Sequence, residues 1–162
     1  MEKTVPATFP PSRTVVTPEA GDYRDREWTV AETANGACLI TDERVAAVEL
    51  TGAMAADVRR YLRANNLSGP ILEFPGAERR EIHLVVGIAK AARAIEALRG
   101  AGVTVHSDGA SIPLPPTRLS AGSPEWAVSP TEARWIPPLV ALAAAVHATN
   151  PSRHRLLAEL AC

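Results

Sequence analysis

The chain has 162 residues, 46% of them hydrophobic and 22% charged, which suits one domain with a core and excludes a disordered or fibrous chain. Its 17 Lys and Arg against 18 Asp and Glu leave a net charge of -1, which excludes attachment to nucleic acid by bulk electrostatics and confines any such contact to a local patch. Cys38 in an apolar run and Cys162 at the last position cannot frame a disulfide network or a zinc site. With no apolar leader and no long apolar stretch, the reading is a cytoplasmic protein without a membrane span.

Residues 1–20 carry four prolines among Thr, Ser and Val, a composition that predicts a flexible N-terminal arm and leaves 21–162 as a single domain. Trp28 is large enough to pin that arm to the domain. Residues 37–41 and 45–50 are short β-prone runs, and Asp42-Glu43-Arg44 between them predicts a hairpin. After Thr51, Met54, Val58, Tyr61 and Leu62 recur at the spacing of one buried helix face, with Arg59, Arg60 and Arg63 on the outer one. Asn65-Asn66 and Ser68-Gly69-Pro70 end this helix, residues 71–74 form a strand, and Pro75-Gly76 turns the chain.

In the strand at 81–86, Ile82, Leu84 and Val86 fall on one side and Glu81, His83 and Val85 on the other. Ile88, Ala92, Ile95 and Leu98 mark a second helix that Gly100 suits as a cap, and residues 103–106 form a further strand. From 45 to 106 the order is strand, helix, strand, strand, helix, strand, which predicts an α+β fold: a split β-α-β-β-α-β sheet of the ferredoxin or RNA-recognition kind, helices on one face. A strand at 111–114, a turn-rich segment to 124 and a strand at 126–128 predict a C-terminal hairpin. A helix begun by Pro137-Pro138 follows, and Asn150-Pro151 opens a last helix through Leu156, Leu157 and Leu160. The segment 139–146 is apolar almost all round and must be buried on more than one side, by the last helix or by a second chain in a homodimer.

No phosphate loop, zinc spacing or nucleophile elbow occurs. An RNA-recognition sheet stacks bases on central-strand aromatics, whereas these strands offer at most Phe74 and His83. His106 with Asp108-Gly109 reads as turn chemistry, and His147 and His154 lack the spacing of a two-histidine metal clamp. Arg59, Arg63, Arg79, Arg80 and Arg118 could form a local basic patch for a nucleotide or nucleic acid, or merely solvate a helix face and a loop.

The run Ile112-Pro113-Leu114-Pro115-Pro116-Thr117, followed by Gly122 and Trp126, resembles the pattern of a strand entering Pro-Pro-Ser, a glycine turn and an aromatic strand in the N-terminal domain of bifunctional primase-polymerases. Asp108-Gly109-Ala110 resembles the glycine turn before it. The resemblance covers about residues 37–146 and is nearest to a shortened, alanine-rich actinobacterial subgroup. It implies structural roles for Trp126, Pro115, Pro116 and Gly122. It also sets residues 45–50 against that family's Asp-x-Asp strand, and residues 80–85 against its nucleotide-contacting histidine strand, with His83 in place.

Family enzymes need two carboxylates on the first strand and one on a later strand, because two divalent cations must bridge triphosphate and primer. This chain has Ala47, Glu49 and Thr104 there. The resemblance therefore implies a degenerate site with no catalytic residue, no metal and no cofactor, in which Glu49 and His83 are vestiges. If the two strands pair, Glu49 is expected across from His83, on an open sheet face. The function expected is a DNA-binding or nucleotide-binding regulatory module for a protein partner, nucleotide or nucleic acid. The competing expectation is residual nucleotidyl transfer using Glu49 and His83.

Overall fold

The computed structural model describes Tyr23 and residues 25–150. The N-terminal arm at 1–20, His154, Cys162 and the last helix with Leu156, Leu157 and Leu160 lie outside the described residues.

The chain is a mixed α+β structure with two antiparallel sheets. The larger is built from β3 (Ala46–Thr51), β4 (Ile71–Phe74), β5 (Arg80–Val85), β6 (Thr104–His106) and β8 (Glu125–Val128), in the spatial order β6-β3-β5-β4-β8. The smaller holds β1 (Val30–Thr33), β2 (Gly36–Ile40) and β7 (Ser111–Leu114), in the order β1-β2-β7. Among the described residues four α-helices accompany them: α1 (Gly52–Ala64), α2 (Ala92–Gly100), α3 (Pro130–Ala133) and α4 (Leu139–Thr149).

Alternation along the strands decides the layering, because successive side chains point to opposite faces. Ala46, Val48 and Leu50 of β3 join Val85 of β5 in a core with Ala55, Val58 and Leu62 of α1, Leu98 of α2, and Leu139, Leu142, Ala145 and Val146 of α4. Ala47 of β3, Leu72 and Phe74 of β4, and Ile82 and Leu84 of β5 face the other way. They pack with Leu39, Ile112 and Leu114 of the small sheet and with Tyr23 and Trp28. The central sheet thus lies between a helical layer and the small sheet. The near-uniform apolarity of α4 is explained by its place across both α1 and α2.

Two expected hairpins are corrected. Residues 37–41 and 45–50 belong to different sheets, since β2 pairs with β1 and β7 while β3 pairs with β5 and β6. Asp42 makes a corner instead of a hairpin turn: one carboxylate oxygen accepts from the amides of Arg44 and Val45, at 2.8 and 3.0 Å, and the other from the Thr29 hydroxyl. The hairpin partner of β2 is β1, which the sequence pattern did not disclose. Its turn is Ala34-Asn35, and Gly36 follows at φ 147°, where a Cβ would lie 2.6 Å from Thr117 Cα. The second correction concerns the C-terminal hairpin. β7 pairs with β2 in the small sheet, whereas β8 pairs with β4 on the edge of the large one.

The second helix also differs from expectation. A 3-10 turn at Ile88–Lys90 precedes α2, and the left-handed residue after the helix is Gly102, φ 80°, not Gly100. Val103 N–H bonds Leu98 O and Gly102 N–H bonds Arg99 O, the paired bonds of a Schellman ending.

Candidate functional site

Polar side chains gather on both faces of the large sheet. Strand register sets the first group: Ala47 stands opposite His106 and Glu49 opposite Thr104, so all four share the face turned toward the small sheet. Arg80 lies on that face too, its guanidinium carbon 4.8 Å from the centre of the Phe74 ring. Arg80 donates Nε to Glu49 Oε1 at 2.6 Å and Nη2 to Oε2 at 3.2 Å, while His106 Nε2 lies 2.8 Å from Oε2. Both carboxylate oxygens are therefore engaged. The Arg80 hydrogen bond, chiefly, holds the Glu49 carboxyl below its usual range against partial burial, and His106 adds to it.

The second group lies under α1. Glu81 is fully buried, yet its Oε1 accepts from Arg79 at 2.8 Å and from Arg59 at 3.1 Å, and its Oε2 lies 3.1 Å from His83 Nε2. Burial acts to raise this carboxyl, but the bonds from His83 and Arg79, the His83 charge and the Arg59 bond outweigh it and hold the group at about 2. Glu81 is thus an anion in the interior, compensated by three donors as a buried charge must be.

His83 is not where the sequence reading puts it. It pairs with Val48, is only 2% exposed, and faces the helices, whereas Glu49 pairs with Ile82 and faces the small sheet. A one-residue step along a strand reverses the face, so Glu49 and His83 cannot meet and cannot act on one substrate. His83 is bonded to Glu81 instead. The residue that does meet Glu49 is His106, which sequence reasoning assigned to turn chemistry. The signal for it was available: an antiparallel strand beside β3 brings its even-numbered residues over Glu49.

The five arginines do not form one patch. Arg59 and Arg79 converge on Glu81, whereas the next residue, Arg80, crosses to the opposite face. Arg118 follows β7, its amide bonded to Asn35 O, and Arg63 stands exposed on α1. Neither makes an ion pair among the described residues. Of the motif residues, Pro115 O accepts from the Tyr23 hydroxyl, which in turn accepts from Trp126 Nε1 at 3.0 Å. Trp126 is half-buried and packs beside Tyr23 and Trp28. Pro116 is exposed, joined to Pro115 by a cis peptide bond, and a Cβ on Gly122 would press on Pro75 at 3.3 Å.

The residues present do not fit a two-cation centre. Ala47 and Thr104 offer no carboxylate, Glu49 is held by a guanidinium, and no group of three or more His, Cys, Asp or Glu among the described residues is arranged for a metal. No helix among the described residues is long and apolar enough to cross a membrane. No family model, curated protein or solved structure matches this chain, so the likeness to primase-polymerases stands on the residues of its motif alone.

Proposed function

We propose that the chain is a non-catalytic primase-polymerase-like domain, a regulatory module that binds a partner and does not transfer nucleotides. The order β6-β3-β5-β4, with α1 and α2 as the crossovers between β3 and β4 and between β5 and β6, supports the split β-α-β-β-α-β reading of the central unit. In that arrangement positions 47, 49 and 104 are neighbours on one face, which is what the resemblance requires of the three carboxylate positions.

The observation that carries the proposal is the state of Glu49. A carboxylate bonded twice by Arg80 and once by His106 has its charge compensated, and two hard cations each need several oxygens. Replacing Arg80 by a cation would leave a guanidinium beside it. Electrostatics therefore opposes metal entry as firmly as the missing ligands do. The test is template-directed primer extension with magnesium or manganese. We expect none, and extension that Glu49→Ala abolishes would overturn the proposal.

A further inference from the structure

On the helical side, a cleft of about 480 Å³ opens between the C-terminal half of α1 and the segment running from β8 through α3. Its walls include Arg59 and Arg63 of α1, Asn66 and Ser68 of the following turn, and Glu132 and Trp135. We infer that this cleft binds a mononucleotide, with the base against Trp135 and the phosphate at the two arginines. The inference rests on the reading of the chain as a binding module and names its ligand class.

Trp135 is the first reason. It is 43% exposed, one of two large apolar side chains so exposed among the described residues, yet its position is fixed. Its Nε1 donates to Ser68 O at 3.1 Å, so the indole edge is tied down while much of the ring stays open to solvent. The segment that carries it is anchored on both sides. Ser129 caps α3 through the Glu132 amide, Arg26 bonds Pro130 O and the Thr131 hydroxyl, and Arg134 takes a left-handed φ of 62° just before Trp135. Beyond it, Pro137 packs where a side chain on Gly69 would stand, and Pro137 O and Leu139 N both bond the backbone of Val86. A rigidly presented, solvent-facing indole is a stacking platform for a planar ring.

The cations are the second reason. Arg63 has no ion-pair partner among the described residues, and it sits one helical turn from Arg59, whose guanidinium reaches Glu81 at 3.1 Å and Glu73 at 3.8 Å. Arg63 is thus a free fork beside a second, fixed one, a pairing suited to a phosphate. Glu132 is the carboxylate in the cleft walls; it can accept from an amino group on a base. The volume lies within the range of about 300–1,000 Å³ usual for small-molecule sites.

The experiment is titration calorimetry of the full chain with each common ribonucleoside 5′-monophosphate in EDTA, with adenosine and inorganic phosphate as part-ligands. We expect at least one monophosphate to bind more tightly than either part. Arg63→Ala and Trp135→Ala should each weaken it by about tenfold or more, since one charge-assisted bond or one stacked base is worth that much. Both side chains are exposed, so an unchanged thermal midpoint shows the variants folded. Glu49→Ala, on the opposite face, should leave the affinity unchanged. No binding by any monophosphate, or binding that neither cleft variant weakens, overturns the inference and leaves the non-catalytic reading standing. Loss through Glu49→Ala with both cleft variants unaffected would overturn the inference by moving the site to the other face.

Discussion

Glu81 is the residue on which most charge converges, and its removal is expected to be the most costly single polar change. Glu81→Ala leaves His83 buried without its partner and two guanidiniums facing each other across a vacated site, a loss on the order of 3 kcal/mol. Its pH dependence has a fixed sign. The folded carboxyl is depressed from 4.5 to about 2, so its contribution is fully present above the unfolded value and is lost as pH falls from about 5 toward 2. In Glu81→Gln, the deficit in thermal midpoint relative to the parent should therefore narrow across that acid range. A deficit that stays constant would show that the charge of Glu81 is not what stabilises the fold. His83→Ala should cost about 2 kcal/mol, approaching the roughly 3 kcal/mol of Trp126→Ala, because His83 is buried and bonded while Trp126 is only half-buried. Thermal denaturation of the pair checks this, and a His83 variant as stable as the parent would contradict the buried placement.

At the scale of elements, α1, β4, β5 and the α2 region were legible from local pattern, such as Met54, Val58, Tyr61 and Leu62 on one helix face, of which Val58 and Leu62 are fully buried, with Ala55 beside them. The sheet to which a strand belongs was not. Residues 37–41 and 45–50 read as a hairpin because three polar residues separate them, yet Asp42 uses its carboxylate to turn a corner between sheets. Nothing local distinguishes the two outcomes, since the choice is made by β7, about seventy residues downstream, pairing with β2. The strand β1 has only four residues and is only partly buried, so its sequence carries no clear alternation. For the candidate site, the identities of Ala47, Glu49 and Thr104 could be read directly, whereas the Glu49–His106 and Glu81–His83 pairings depend on register. Gly36 tests the fold at this scale. Gly36→Ala should lower stability by about 2 kcal/mol or more, because the added Cβ meets Thr117, whose hydroxyl bonds Ala37, at a left-handed φ. A variant with the parent's melting temperature would show that the β1-β2 turn does not pack as described.

For the whole molecule, the three layers separate two kinds of chemistry. One face of the central sheet holds Glu49, Arg80 and His106, a closed set of bonds around one of the three positions that the resemblance sets against that family's carboxylates. The other holds the Glu81 network and, beyond it, a cleft with an exposed tryptophan and an arginine, Arg63, that makes no ion pair among the described residues. The near-neutral net charge accords with recognition of a small ligand or a local patch, not of a long phosphate backbone. Whether the Glu49 face handles metal and triphosphate is read by titrating the chain with a nucleoside triphosphate in magnesium and again in EDTA. The expected result is the same affinity in both, unaltered by Glu49→Ala. Binding that requires magnesium and disappears in Glu49→Ala would contradict it.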